Sequence, residues 1–189
     1  MNHHLQQSFD EHRSMFEQLL ASQSEAIERI GEQIVATLAN NGKILSFGNG
    51  GSAADAEHLA CELLCRFEAQ RRALPAIALT GSTAFLTATA NDLGFERGFA
   101  RAVEALARRG DLCVGISTSG VSPNVIEGLR RARELGAVAV GLTGRDGGRM
   151  REVCDNLVVV PHDRTCRIQE AHEFIIHAWC AMIDAAFAR

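Results

Sequence analysis

Lys43-Ile44-Leu45-Ser46-Phe47-Gly48-Asn49-Gly50-Gly51-Ser52-Ala53-Ala54-Asp55-Ala56-Glu57-His58-Leu59-Ala60-Cys61-Glu62 is the stretch that decides the fold. The apolar run 43–47 reads as a buried strand, and a helical pattern starts at Ser52 after a glycine-rich turn. Glycines at a strand-to-helix turn let the backbone come close to a ligand. Ser52 stands where an N-cap belongs, and the free N–H groups of a helix start attract an anion. Further along the same helix His58 and Glu62 are spaced i, i+4, so they share a face. An anion cradle beside an imidazole and a carboxylate points to chemistry on a phosphorylated small molecule.

Outward from this unit, strand-like runs recur at Pro75–Leu79, Asp111–Ile116, Ala137–Leu142 and Asn156–Val160. They are continuously apolar, so both faces of their sheet should be covered. Helical patterns separate them at 52–67, 82–90, 96–109, 123–135 and 149–154, and a last helix is expected from Arg164 to Phe187. This alternation predicts an α/β fold, a doubly wound five-stranded parallel sheet flanked by helices. Residues 8–40 carry Phe9, Phe16, Leu19, Leu20, Ile27, Ile30, Ile34 and Leu38 at helical spacing, with Ser22–Ser24 as a candidate break and Asn41-Gly42 as the stop. No repeat or linker divides the chain. It is read as one domain over 1–189, with 1–41 as a helical segment for assembly and 42–189 as the α/β core. Two long helical ends either wrap a monomer or join protomers, and closed symmetric assembly is the expectation.

The 189 residues suffice for a sizeable core, with 47% hydrophobic and 22% charged residues. A net charge of −4 without blocks of like charge argues against nucleic acid as the main ligand. No apolar run approaches the roughly 20 residues of a membrane span. The start Met1–Gln7 lacks the basic-then-apolar layout of a secretory signal. Six scattered cysteines form no disulfide framework, and a reducing cytoplasm is expected. Cys61 and Cys65 are spaced i, i+4, but with no second pair they read as core rather than as metal ligands.

A second polar loop follows the third strand: Ser117-Thr118-Ser119-Gly120-Val121-Ser122-Pro123-Asn124. Pro123 after Ser122 fits a serine-capped helix with proline at its first position. Two such loops at the carboxyl ends of parallel strands stand where open α/β sheets bind ligands. Hydroxyls and helix N-terminal N–H groups can hold a phosphate without a metal. Gly48-x-Gly50-x-x-Ala53 also resembles a dinucleotide fingerprint, but the second strand ends Leu79-Thr80-Gly81, without the acidic residue a ribose would need. The last helix carries Arg167-Ile168-Gln169-Glu170-Ala171-His172 and then His177 among apolar neighbours. A buried imidazole there needs a partner, and His58 or Glu62 could share a metal or a charge with it.

Taken together, Gly48-Asn49-Gly50-Gly51-Ser52, Ser117-Thr118-Ser119-Gly120-x-Ser122-x-Asn124 and Arg167-Ile168-Gln169-Glu170-x-His172 closely resemble the bacterial phosphoheptose isomerases of the sugar isomerase (SIS) superfamily. Pro75–Leu79, Asn91-Asp92 and Leu142-Thr143-Gly144-Arg145-Asp146-Gly147-Gly148 extend the resemblance over nearly the whole chain. It implies a homotetramer interconverting sedoheptulose 7-phosphate and D-glycero-D-manno-heptose 7-phosphate, a step that begins nucleotide-activated heptose synthesis for lipopolysaccharide or capsule. It implies one zinc ion per subunit on His58, Glu62, Gln169 and His177. Substrate contacts would fall on Asn49, Gly50, Gly51, Ser52, Glu62, Asn91, Asp92, Ser117, Thr118, Ser119, Ser122 and Gln169.

Glu62 and His177 resemble the family's catalytic pair, which moves a proton between C1 and C2 through an enediol. A carboxylate on zinc is a poorer base, so the two roles given to Glu62 compete. Gln169 and His177 are eight residues apart, about 12 Å along a helix. Either that helix is irregular near Gln169, or the ligands come from different subunits. Arg66 extends the His58/Glu62 spacing and reads as a substrate contact or a helix C-terminal cation. Departures from the family pattern are Val121, Pro123 and the short segment between Pro161 and Arg167. The competing readings are a non-catalytic SIS adaptor of the replication initiator and an isomerase for another sugar phosphate.

Overall fold

The computed structural model describes residues 3–188; Met1 and Asn2, at the head of the stretch read for a signal, and Arg189 lie outside them. Five strands form one parallel sheet: β1 (Ile44–Gly48), β2 (Ala76–Ala78), β3 (Leu112–Ser117), β4 (Val138–Gly144) and β5 (Asn156–Val160). The helices are α1 (His3–Ala39), α2 (Gly51–Leu64), α3 (Thr83–Asp92), α4 (Gly98–Leu106), α5 (Pro123–Glu134), α6 (Met150–Val153) and α7 (Thr165–Phe187). The strand order is β2-β1-β3-β4-β5, and Gly48 pairs with Ile116, so the loops after β1 and β3 leave the sheet at one level.

Both faces of the sheet are covered, as the continuous apolar strands require. Side chains alternate between two cores: Ile44, Leu112 and Val114 pack with residues of α1, α2 and α7, while Leu45, Phe47 and Cys113 pack with residues of α4, α5 and α6. Trp179 of α7 is fully buried and its indole N–H donates to Ile27 O of α1 at 2.9 Å. That bond fixes the two long helices against each other. Among the described residues, no helix is long and apolar enough to cross a membrane.

Three expectations need correction. The Ser22–Ser24 break is absent: α1 runs unbroken because Ser22 Oγ donates to Gln18 O within the helix and the apolar stripe continues through Ile27 and Ile30 onto α7. The edge strand β2 is three residues long, although Leu79 N still donates to Ser46 O. α2 stops at Leu64, not at residue 67, because the Arg71 guanidinium takes the carbonyls of Glu62 and Leu63 and turns the chain away.

Candidate active site

The strand order reverses between β1 and β3, and ligands of open parallel sheets bind outside the strand ends at such a reversal. The two polar loops flank that crevice. Their side chains already pair across it: Asn49 Nδ2 donates to Asn124 Oδ1 at 2.9 Å, and Asn124 Nδ2 donates to Asn49 Oδ1 at 2.8 Å. Ser117 Oγ lies 2.9 Å from Ser122 Oγ and 3.4 Å from Ser119 Oγ, with Thr118 half-buried between them. Ser122 does occupy the N-cap of α5, with Pro123 next to it, but its hydroxyl turns to Ser117 instead of capping, and the Val125 N–H donates to Asn124 Oδ1 at 3.0 Å.

The first loop differs from expectation at Ser52. The N-cap of α2 is Gly50, at φ 57°, a left-handed conformation that suits glycine. The helix therefore starts one residue earlier, and Ser52 is buried in its first turn. Gly51 is small for a different reason: a Cβ there would collide with the Gln169 amide of α7. Gln169 thus packs over the anion-attracting end of α2.

From that point α2 and α7 run side by side in the same direction. Gly51 meets Gln169, His58 meets Glu173 and His177, and the chain just past α2 meets Asp184. His58 Nε2 is 3.0 Å from His177 Nε2. Glu173 Oε1 is 3.2 Å from His58 Nε2 and 3.4 Å from His177 Nε2, and Glu62 Oε1 is 3.6 Å from His58 Nε2. The Phe67 ring lies 5.2 Å from the His177 ring and closes one side. Asp55, one turn before His58, has a buried Oδ2 without a partner. Burial pushes Asp55 up to about 6, the Glu173 charge pushes the same way, and His58 pulls it down.

Facing imidazole nitrogens with carboxylate oxygens suit a divalent cation. His58, Glu173 and His177 each offer a ligand atom, all within 4.8 Å of one another. Of the expected ligands, His58, Glu62 and His177 come together at this end. Gln169 does not: α7 is a regular helix throughout, so the irregularity considered for it is absent.

The two helices that carry these side chains are locked at their far end. Arg71, 1% exposed at its side chain, donates from Nε to Asp184 Oδ1 at 2.9 Å, and Asp184 Oδ2 accepts from Glu68 N and Ala69 N at 2.8 and 2.7 Å. Burial would raise the Asp184 carboxyl, but those N–H groups and Arg71 outweigh it and hold it below its ordinary value. Arg71 also donates to Glu62 O, so this lock sets the backbone beneath Glu62.

Other expected residues lie elsewhere. Asn91 and Asp92, exposed at the end of α3, bond to each other at 2.7 Å, and among the described residues no hydrogen bond or ion pair ties them to the crevice. Arg66 is off the helix face because α2 has ended, and it donates to Glu68 O. His162 accepts from Arg164 N in a local turn. His172 is a core residue bonded to Thr143 O at 3.2 Å, and burial pulls it down to about 4. Sequence reading gave no role to Asp55, Arg71 and Glu173, and named Asn124 only as part of the loop motif. Of the first three, Glu173 carried a readable signal, its i, i+4 spacing to both Gln169 and His177.

The SIS domain family model matches residues 7–144, and the chain belongs to that family. Its relatives narrow the placement to the phosphoheptose isomerases. That of Aliarcobacter butzleri is 52% identical over 173 residues, 92% of each chain, and that of Paramagnetospirillum magneticum is 50% identical over 97% of this chain and 96% of its own. The solved phosphoheptose isomerase of Neisseria gonorrhoeae superposes with a TM-score of 0.90 at 44% identity, covering 96% of this chain and 97% of its own. The Francisella tularensis enzyme superposes at 0.92 and 36% identity, covering 96% of each.

Proposed function

We propose that the chain is an aldose–ketose isomerase converting sedoheptulose 7-phosphate to D-glycero-D-manno-heptose 7-phosphate. What supports this reading is that the helices carrying the facing imidazoles His58 and His177 also meet at Gly51 and Gln169 beside the polar loops, on relatives' names that agree over nearly the full chain. The phosphate sits among Ser117, Thr118, Ser119, Ser122 and the backbone of Asn49, Gly50 and Gly51, near Ser52. Gln169, packed over Gly51, faces the same sugar. Asn91 and Asp92 reach the substrate from α3 or from a neighbouring protomer.

Isomerisation from the ketose needs a base to take a proton from C1 while the C2 oxygen gains one, giving a 1,2-enediol. Returning a proton to C2 while O1 loses its own gives the aldose. Glu62 and His177 share these transfers. A zinc ion, one per subunit, fits the end where His58 and His177 meet; when bound it polarises the sugar carbonyl. The ligand set implied by the resemblance adds Glu62 and Gln169. With α7 straight, Gln169 joins His177 on one ion only across protomers, which fits a homotetramer with sites at its interfaces. Exposed Leu5, Phe9 and Leu20 on α1 support 1–41 as the assembly segment. The product feeds nucleotide-activated heptose synthesis for surface polysaccharide. The thiols at Cys61, Cys65 and Cys166 are free and exposed, which corrects the core reading of Cys61 and Cys65 and is in line with a cytoplasmic location.

The test pairs metal analysis with a coupled assay on sedoheptulose 7-phosphate. Zinc with turnover is the expected result. Neither zinc nor turnover would leave the adaptor reading in its place, and turnover of a different sugar phosphate would replace the substrate.

A further inference from the structure

The two asparagines that pair across the crevice belong to the two helix starts on either side of it. Asn49 follows β1, and its carbonyl accepts from Ser52 N at 3.1 Å in the first turn of α2. Asn124 is the second residue of α5 and is 3% exposed. Its Oδ1 accepts from Val125 N at 3.0 Å as well as from Asn49 Nδ2, and its Nδ2 donates back to Asn49 Oδ1. One reciprocal amide pair thus bonds the start of α2 to the start of α5. We propose that this pair is a neutral clasp. Asn124 positions Asn49 and its loop, and the absence of charge keeps the positive ends of both helices open to a phosphate dianion. The clasp rests on the isomerase reading for its phosphate.

Each helix start carries roughly half a positive charge, so two starts at one crevice repel each other. They are nonetheless held close. Gly48 pairs with Ile116 of β3, and a Cβ on Gly48 would stand 2.9 Å from Ile116 O and 2.5 Å from Ser52 O. The amide pair bridges these ends without cancelling their field.

Aspartate at position 124 would serve the helix about as well, since it accepts the same N–H groups and favours a helix start. It differs in two ways. A carboxylate has no N–H to return to Asn49 Oδ1, and its charge would occupy the field meant for the phosphate. Asparagine therefore matters to anion binding and not to helix stability. Asn124 is buried and held on both polar atoms, so it acts through Asn49 as a positioning residue.

The experiment reads anion binding as the rise in melting temperature with inorganic phosphate at pH 8, alongside kcat and KM for sedoheptulose 7-phosphate. Without phosphate, Asn124→Asp should melt within about 4 °C of wild type, because the lost hydrogen bond is offset at the helix start. It should bind phosphate about tenfold or more weakly. KM should rise by the same factor while kcat stays within about threefold. Asn124→Ala and Asn49→Ala should each weaken phosphate about fivefold. The double alanine variant should be no worse than either, because all three lose one clasp. If Asn124→Asp does not fold, Asn49→Asp carries the comparison and should bind phosphate more weakly than Asn49→Ala. Phosphate affinity in the aspartate variant equal to that of the alanine variant would remove the field argument. Additive losses in the double variant would dissolve the clasp, and a melting temperature that falls in step with affinity would reduce the pair to a structural contact. Coupled phosphate binding without turnover of sedoheptulose 7-phosphate would sink the isomerase reading and leave the clasp standing.

Discussion

The loop end of the crevice and its imidazole end are held by the same two helices, yet they treat their polar groups in opposite ways. At the loop end Asn49 and Asn124 satisfy each other, Ser117 and Ser122 share a hydrogen bond, and none of these four side chains carries a charge. At the imidazole end His58 and His177 point nitrogens at each other amid Glu62 and Glu173, and Asp55 keeps a buried oxygen unpartnered. The first end is organised before any ligand arrives, and an anion needs only to replace hydroxyl contacts. The second leaves polar groups in need of a partner, which a cation could supply. On the proposed reading one scaffold would separate recognition of the phosphate from the chemistry at the far end of the sugar.

Breaking the lock between the helices should have the largest effect. Arg71→Ala leaves Asp184 as a buried, unpaired carboxylate, so unfolding free energy should drop by about 3–5 kcal/mol in a denaturant titration. If the folded fraction is assayed, zinc affinity should fall more than phosphate affinity, because the lock lies beneath Glu62 and beside α7, away from the loops. Equal losses at both ends would erase the distinction between them.

pH offers a smaller perturbation, read at a core residue outside both ends. His172 is fully buried and its folded value is about 4, against an ordinary 6.5. Between those values the unfolded chain binds a proton that the folded chain refuses, so stability falls as pH drops through that window, by about 3 kcal/mol in all. Asp184 acts lower: its folded value is depressed, so its contribution is present above 3.8 and is lost as pH falls below it. His172→Leu should flatten the upper part of the melting-temperature profile only.

The smallest change sharpens the loop end. Ser117→Ala removes one hydroxyl contact, worth about 1 kcal/mol, so inhibition by inorganic phosphate should weaken about fivefold. Zinc affinity in the same protein should not move. A matched loss of zinc would tie the two ends together.

The five strands, their covered faces and both loops were legible because continuous apolar runs and glycine turns are local signals; their order in the sheet was not. Ser52 was misjudged because the positive φ at Gly50, which moves the cap back two residues, depends on backbone geometry that composition does not reveal. The early end of α2 was hidden for a different reason. It is imposed by Arg71, nine residues beyond Glu62 in sequence and buried only through its tie to Asp184 on the last helix. His58 and His177 could be paired in advance from the family resemblance. The position of Glu173 between them was carried by the packing of α2 on α7, which no local pattern encodes.

The most direct measurement strips the protein with a chelator, follows sedoheptulose 7-phosphate turnover, and then restores zinc, with phosphate binding measured in both states. Turnover should vanish and return with about one zinc per chain, while phosphate binds the stripped protein as well as the loaded one. Full turnover by the stripped protein would contradict a metal-assisted proton transfer by Glu62 and His177, and phosphate binding that vanished with the metal would contradict the independence of the two ends.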